Sequence, residues 1–233
     1  MRKEPSRMNK SVILVPSRGR AHRIDECLES LVEMTKVSDI IVCLDEDDHE
    51  NYKKDFPVEY HVGPPPKRIG LNEKINRMLP MVTAKYDYLL WAADDTVAKT
   101  EGWDEILIDT IREVPLGISY PNDLFQGSKL PSNGTCFDIR IPKVLGYIAP
   151  LTLFHLYMDN FWKLLGEELG TLRYREDVIL EHNHFVNKKA PPDKTYMSIN
   201  SKEMYATDSQ SFAVYRNHEL RTDISKLVKS LEK

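Results

Sequence analysis

The chain is poor in cysteine, and the little it has is scattered. Cys27, Cys43 and Cys136 form no zinc-ligand spacing and no even disulfide set, which fits a reducing, cytoplasmic setting. Long apolar runs are missing too, and nothing approaches the roughly 20 residues that span a bilayer. Met1 to Lys10 is basic and polar with no apolar core. Residues 1–10 therefore read as a disordered tail rather than a signal peptide. Strong net charge is also absent. A balance of -4 argues against a protein that coats nucleic acid with its whole surface, while leaving room for a local basic patch. No internal repeat, low-complexity tract or clear linker interrupts the 233 residues, a length that allows one domain or a domain with a subdomain.

What is present centres on the stretch from Tyr86 to Thr96. Tyr88 to Ala92 is an unbroken, largely apolar run, which predicts a strand buried on both faces in a parallel sheet. Asp94 and Asp95 follow at once. Ligands of open α/β sheets bind outside the carboxyl ends of the strands. Adjacent acids at a strand end point to opposite sides and can do different jobs. Such a pair suits a hard divalent cation that also holds phosphate oxygens. The plainer alternative is a polar cap on the following turn.

The same logic applies along the chain. Ser11 to Val15 predicts a buried strand closed by Pro16-Ser17-Arg18-Gly19-Arg20, then a helix on Ile24, Cys27, Leu28, Leu31 and Met34. Asp39 to Leu44 predicts a strand ending in Asp45-Glu46-Asp47-Asp48, and Val58 to Val62 another, before Gly63-Pro64-Pro65-Pro66. Leu71, Ile75, Met78, Leu79 and Val82 predict one amphipathic helix. The alternation means an α/β fold with a mostly parallel central sheet flanked by helices. Further on, the pattern predicts helices on Trp103–Val114, Phe154–Leu169 and Leu220–Leu231, strands over Gly117–Tyr120, Thr135–Ile141 and Val178–Val186, a short helix from Pro142 to Ile148, and a basic loop from Asn187 to Tyr196.

Arg18 and Arg20 then stand after the first strand, Asp45 after the second, and Asp94 and Asp95 after the central one. These ends converge on one rim. Guanidinium forks match phosphate oxygens, and a carboxylate can accept from a base N–H or a ribose hydroxyl. The sum is a nucleotide-diphosphate site with a metal. Surface arginines that merely solvate, and an acidic turn at Asp45 to Asp48, are the alternatives. His182 and His184 would share a strand face, and histidine is a common metal ligand. Asp159 near a helix start would have its ionised form favoured.

This arrangement resembles the GT-A fold glycosyltransferases, family 2 above all, over most of residues 11–186. The resemblance rests on Pro16-Ser17-Arg18-Gly19-Arg20, Asp45, Gly70 with Asn76, Ala93-Asp94-Asp95 in place of a DxD motif, and Leu145-Gly146-Tyr147 followed by Tyr157-Met158-Asp159. Ala93 replaces the first acid of Asp-x-Asp, and Met158 the first acid of a Glu-Asp pair. The resemblance implies a metal-dependent transferase that uses a nucleotide-diphosphate sugar, such as a UDP-sugar, with Mn²⁺ or Mg²⁺. Residues 11–120 would form the nucleotide-sugar-binding half and residues 121–233 the acceptor half of one domain. Pro16, Ser17, Arg18, Arg20, Gly70 and Asn76 would line the donor site. Asp45 would read the base, Asp94 the ribose or a metal-bound water, and Lys67 and Arg68 the base or phosphates. Asp95, with His182 and His184, would hold the metal. Lys189, in a loop like the one that closes over the donor, would offset diphosphate charge, and Asp159 would be the catalytic base. The acceptor stays open between a glycan and a hydroxymethylated base in nucleic acid, as in phage-encoded enzymes of the host cytoplasm. Lys188, Lys189, Lys194, Lys202, Arg221, Lys226 and Lys229 would be the matching phosphate-tracking patch. A nucleotidyltransferase and an inactive nucleotide-sugar-binding protein are the alternative functions.

Overall fold

The first strand, β1 (Ser11–Pro16), is apolar on both faces, and its side chains alternate between two separate cores. Val12 and Leu14 enter one, while Ile13 and Val15 enter the other. That alternation places β1 inside a sheet covered on both sides. The computed structural model describes residues 10–67, 70–191 and 193–232. Residues 1–9 of the tail expected at 1–10 lie outside them, as does Arg68, whereas Lys10 is held beside β1 by hydrogen bonds with Asp87 at 2.7 and 2.9 Å.

After β1 come α1 (Ile24–Met34), β2 (Ser38–Asp45), β3 (Glu59–Gly63), α2 (Asn72–Arg77), α3 (Leu79–Lys85), β4 (Tyr88–Trp91), β5 (Thr96–Ala98) and α4 (Trp103–Ile111). The chain continues through β6 (Ile118–Asn122), β7 (Cys136–Asp138), α5 (Arg140–Leu145), α6 (Met158–Glu168) and β8 (Leu172–His182). It ends in α7 (Lys194–Ile199), α8 (Lys202–Val214), a π-helical turn over Tyr215–Glu219, and α9 (Leu220–Ser230). The strands form one sheet in the order β3-β2-β1-β4-β7-β6-β8-β5. β3, β2, β1 and β4 are parallel, whereas β7 runs antiparallel to both β4 and β6. The parallel half matches the expectation, and its carboxyl ends point to one edge.

Departures from the expected elements have local causes. The single helix expected from Leu71 to Val82 is two, α2 and α3, because Pro80 has no N–H to continue the ladder. The helix expected from Phe154 starts four residues later. The amides of Phe154, His155 and Leu156 are instead captured by the Asp208 carboxylate at 2.7–2.9 Å. Tyr157 then turns into α6 with φ of 64°. Strand β8 begins at Leu172, six residues before the expected start, and ends at His182, short of Val186. Asp193 caps α7 by accepting from the Tyr196 amide at 2.7 Å, so Tyr196 is helical rather than in a loop. In α9, Leu227 is buried but Val228 is about half exposed. Cys27, Cys43 and Cys136 are free and buried. No helix among the described residues is long and apolar enough to cross a membrane.

Candidate active site

The turn after β4 carries Asp94 and Asp95, and both are nearly sealed from solvent. Buried carboxylates need partners, and these come from distant parts of the chain. Arg20, itself buried, donates from Nη1 to Asp94 Oδ1 at 2.8 Å and reaches Asp95 Oδ2 at 3.5 Å. Ser17 Oγ donates to Asp94 Oδ2 at 2.6 Å. Asp95 also accepts from the Tyr196 hydroxyl. His182 Nε2 stands 3.2 Å from Asp95 Oδ1. The two acids thus share one guanidinium, rather than facing opposite sides as strand alternation would have it.

This network sets the protonation states. Burial raises Asp94, against the pull of Arg20. Burial would raise Asp95 too, but His182 and Arg20 outweigh it and hold the carboxyl well below the usual range. For His182, burial works downward while the Asp95 charge lifts it, and the net shift is upward. His184 is pushed down to about 4 by burial and by the neighbouring His182, and His155 to about 4 by burial.

The cluster borders a cavity of about 460 Å³ at the carboxyl edge of the sheet. Of the residues expected at the site, it gathers Pro16, Ser17, Arg18, Arg20, Gly70, Asp94, Asp95, His182 and His184. Gly70 is there because the backbone is pressed on a neighbour, and a Cβ would collide with the Phe154 carbonyl oxygen. Four others are placed differently. Asp45 is fully buried behind the wall, where Arg18 and Lys74 each reach it at 2.8 Å and Arg77 at 3.5 Å. Three cations leave it no vacancy for a base N–H. Asn76 faces away from the cavity; its amide donates to Ala149 at 2.9 Å and accepts from the Ile148 amide at 2.6 Å. Lys189 pairs with Glu181 outside the lining. Lys67 is exposed, its amide donating to Glu73 at 3.0 Å.

Asp159 lines an adjoining cavity of about 330 Å³, which shares His155, His182 and His184 with the first. Its carboxyl is raised by burial, overriding the N-terminal helix position that was expected to favour the ion. His184 Nδ1 accepts from the Val186 amide at 3.2 Å. In this arrangement the proton of the neutral ring sits on Nε2.

Other site residues escaped the sequence reading. Tyr196 lies under Arg20, whose guanidinium carbon is 3.9 Å from the ring centroid. Asp193 Oδ2 is 3.1 Å from Arg20 Nε. Lys74 is buried and donates to the Ser17 carbonyl at 2.5 Å. Asp193 before Lys194-Thr195-Tyr196 carried a readable cap signal; nothing local marked the others.

No family profile and no curated protein matches the sequence. Solved structures do match in shape. One is a mannosyltransferase from Pyrobaculum calidifontis in complex with GDP-mannose and Mn²⁺. It is 11% identical, with 98% of this chain and 76% of that one aligned at a TM-score of 0.59. Another is glucosyl-3-phosphoglycerate synthase from Mycobacterium tuberculosis, solved with Mn²⁺, UDP and phosphoglyceric acid. It is 12% identical over 86% of this chain and 77% of that one, at a TM-score of 0.60. The architecture is the GT-A fold, as the sequence motifs implied.

Proposed function

We propose that the chain is a divalent-cation-dependent glycosyltransferase that moves a sugar from a nucleoside-diphosphate sugar to an acceptor hydroxyl. The observation that carries this reading is the buried Arg20–Asp94–Asp95–His182 cluster on a cavity at the carboxyl edge of a GT-A sheet. Residues 11–120 supply most of the donor side, and residues 121–233 the acceptor side together with His182, His184 and Tyr196.

Among the described residues no group of three or more His, Cys, Asp or Glu side chains is placed to hold a metal ion. An ion that keeps waters and takes phosphate oxygens needs only one or two protein ligands. Asp95 Oδ1 and His182 Nε2 fit that demand once the ion displaces the His182 proton. They are 3.2 Å apart, close to the separation of neighbouring ligands around an octahedral ion, and no hydrogen bond satisfies Oδ1 among the described residues. Bound there, Mn²⁺ or Mg²⁺ would neutralise charge on the departing diphosphate.

The side chains around it have separable tasks. Arg20 keeps Nη2 buried and without a partner among the described residues, ready for a phosphate oxygen. Arg18 and Lys194 add positive charge to the same cavity. Asp159 accepts the proton of the acceptor hydroxyl. The hydroxyl oxygen then bonds to the anomeric carbon as the bond from that carbon to the diphosphate oxygen breaks, and the diphosphate leaves with the electron pair. The direct displacement inverts the anomeric centre. The raised Asp159 carboxyl strengthens its pull on that proton.

The test is nucleotide release from a panel of UDP- and GDP-sugars with Mn²⁺ or Mg²⁺, alongside calorimetric binding of UDP and GDP. Metal-dependent release supports the reading; a chain that neither binds nor turns over any of them overturns it.

A further inference from the structure

The cavity that holds Asp159 has a composition unlike its neighbour. Arg18, Arg20, Lys74 and Lys194 line the donor side. Among the described residues lining the Asp159 cavity there is no lysine or arginine, and Asp159 is the one carboxylate. Its wall combines aliphatic and histidine side chains with the aromatic rings of Phe125, Tyr157 and Tyr205 and the amides of Gln126 and Asn200. Lysines that could have turned toward a phosphate are engaged elsewhere, Lys189 with Glu181 and Lys226 with Asp223. Three sealed ring nitrogens on the wall, Trp91 Nε1, His155 Nδ1 and His182 Nδ1, have no partner among the described residues, and all three residues also border the donor cavity. An indole N–H can only donate, so Trp91 offers a donor to an oxygen of a molecule bound beside it.

We infer that the acceptor is a neutral saccharide bound in this cavity, an inference that rests on the transferase reading above. Apolar C–H faces of a sugar ring pack on the aromatic side chains, while its hydroxyls pair with Gln126, Asn200 and Trp91 Nε1. One hydroxyl meets Asp159. A phosphorylated acceptor would bring its charge against Asp159 with no lysine or arginine in the lining to receive it and with His182 already paired to Asp95, and burying an unpaired charge is costly. A nucleic-acid acceptor would need a basic track across this face, and the lining provides none among the described residues.

The experiment has two arms. In the first, nucleoside diphosphate release is measured with neutral oligosaccharides, glucose 6-phosphate, 3-phosphoglycerate or hydroxymethylcytosine-containing DNA as acceptor. Stimulation confined to neutral saccharides is expected; stimulation by the phosphorylated compounds or DNA, with neutral saccharides inert, overturns the inference. In the second, saturation-transfer NMR reads binding of the same compounds to UDP-loaded protein, without turnover. Tyr205→Ala is expected to weaken saccharide binding about tenfold, a typical loss for one ring contact. Gln126→Lys is expected to admit glucose 6-phosphate. Unchanged saccharide binding in Tyr205→Ala also overturns the inference. Saccharide binding that depends on Tyr205, in a protein that turns over no sugar nucleotide, would sink the transferase reading and leave the saccharide site standing.

Discussion

Tyr196 and Asp95, 101 residues apart in sequence, are joined by a hydrogen bond from the phenol to carboxylate Oδ2, next to the oxygen that faces His182. The phenol is held neutral, since burial and the Asp95 charge both raise it. A metal ion on Asp95 must therefore compete with this donor for carboxylate charge. Tyr196→Phe is expected to tighten apparent Mn²⁺ binding about three- to tenfold, part of the strength of a hydrogen bond to a charged group. Mn²⁺ titration by calorimetry gives the answer, and weaker binding in Tyr196→Phe would show that the phenol orders the site instead.

Asp95→Asn keeps the shape of the side chain and removes its charge. Metal-dependent sugar-nucleotide turnover is expected to fall by at least ~100-fold, the scale of losing one preorganised electrostatic group. Circular dichroism should report an intact fold. Retained Mn²⁺-dependent turnover would remove Asp95 from the metal site.

Asp159→Asn separates chemistry from donor binding. Transfer should drop by about 10²–10⁴ in kcat, as for a lost general base, with the donor KM near wild type. The base works only when ionised, and burial raises its pKa. Activity should therefore fail, as pH drops, at a higher pH than an ordinary carboxylate would permit. A pH profile of kcat with the acid limb at or below the ordinary carboxylate range contradicts the assignment, and NMR of the product linkage checks for inversion.

His155 and His184, both held near 4, are kept neutral by the fold. Unfolded, each would titrate near 6.5, so between those values the unfolded chain binds the extra protons. Stability is then complete above about 6.5 and is lost as pH falls toward 4. Each fully taken-up proton adds a slope of ~1.4 kcal/mol per pH unit. Urea denaturation between pH 7 and 4 should show this loss, and His155→Gln should flatten it.

Asp208→Asn tests the clamp on the loop before α6. Its charged acceptor serves three half-buried amides, so the substitution should cost ~2–3 kcal/mol. The measurement is the urea midpoint at constant m-value, and an unshifted midpoint would show the clamp to be dispensable.

The parallel half of the sheet was legible because β1, β2 and β4 are apolar runs whose ends carry turn residues and charge. Their shared edge brought Arg20, Asp94 and Asp95 together as the strand-end rule requires. Other features depend on contacts between distant segments. Asp45 looked available in sequence, yet Lys74 and Arg77 arrive from α2 to neutralise it. β5 has three residues and exists through its pairing with β8. Periodicity places the start of α6 too early because the competing acceptor, Asp208, lies about fifty residues further on. Helical periodicity cannot register such a competitor.

Asp208 has a longer reach than the loop it grips. It belongs to α8, near the end of the chain, and holds the amide of Phe154. The Phe154 carbonyl accepts from the Asn72 amide at 3.0 Å and abuts Gly70 on the donor cavity. Helix, loop and cavity wall are thus linked in mechanical series. A chain cut after β8 would keep every strand of the sheet and lose the strut that holds one wall of its nucleotide pocket in place.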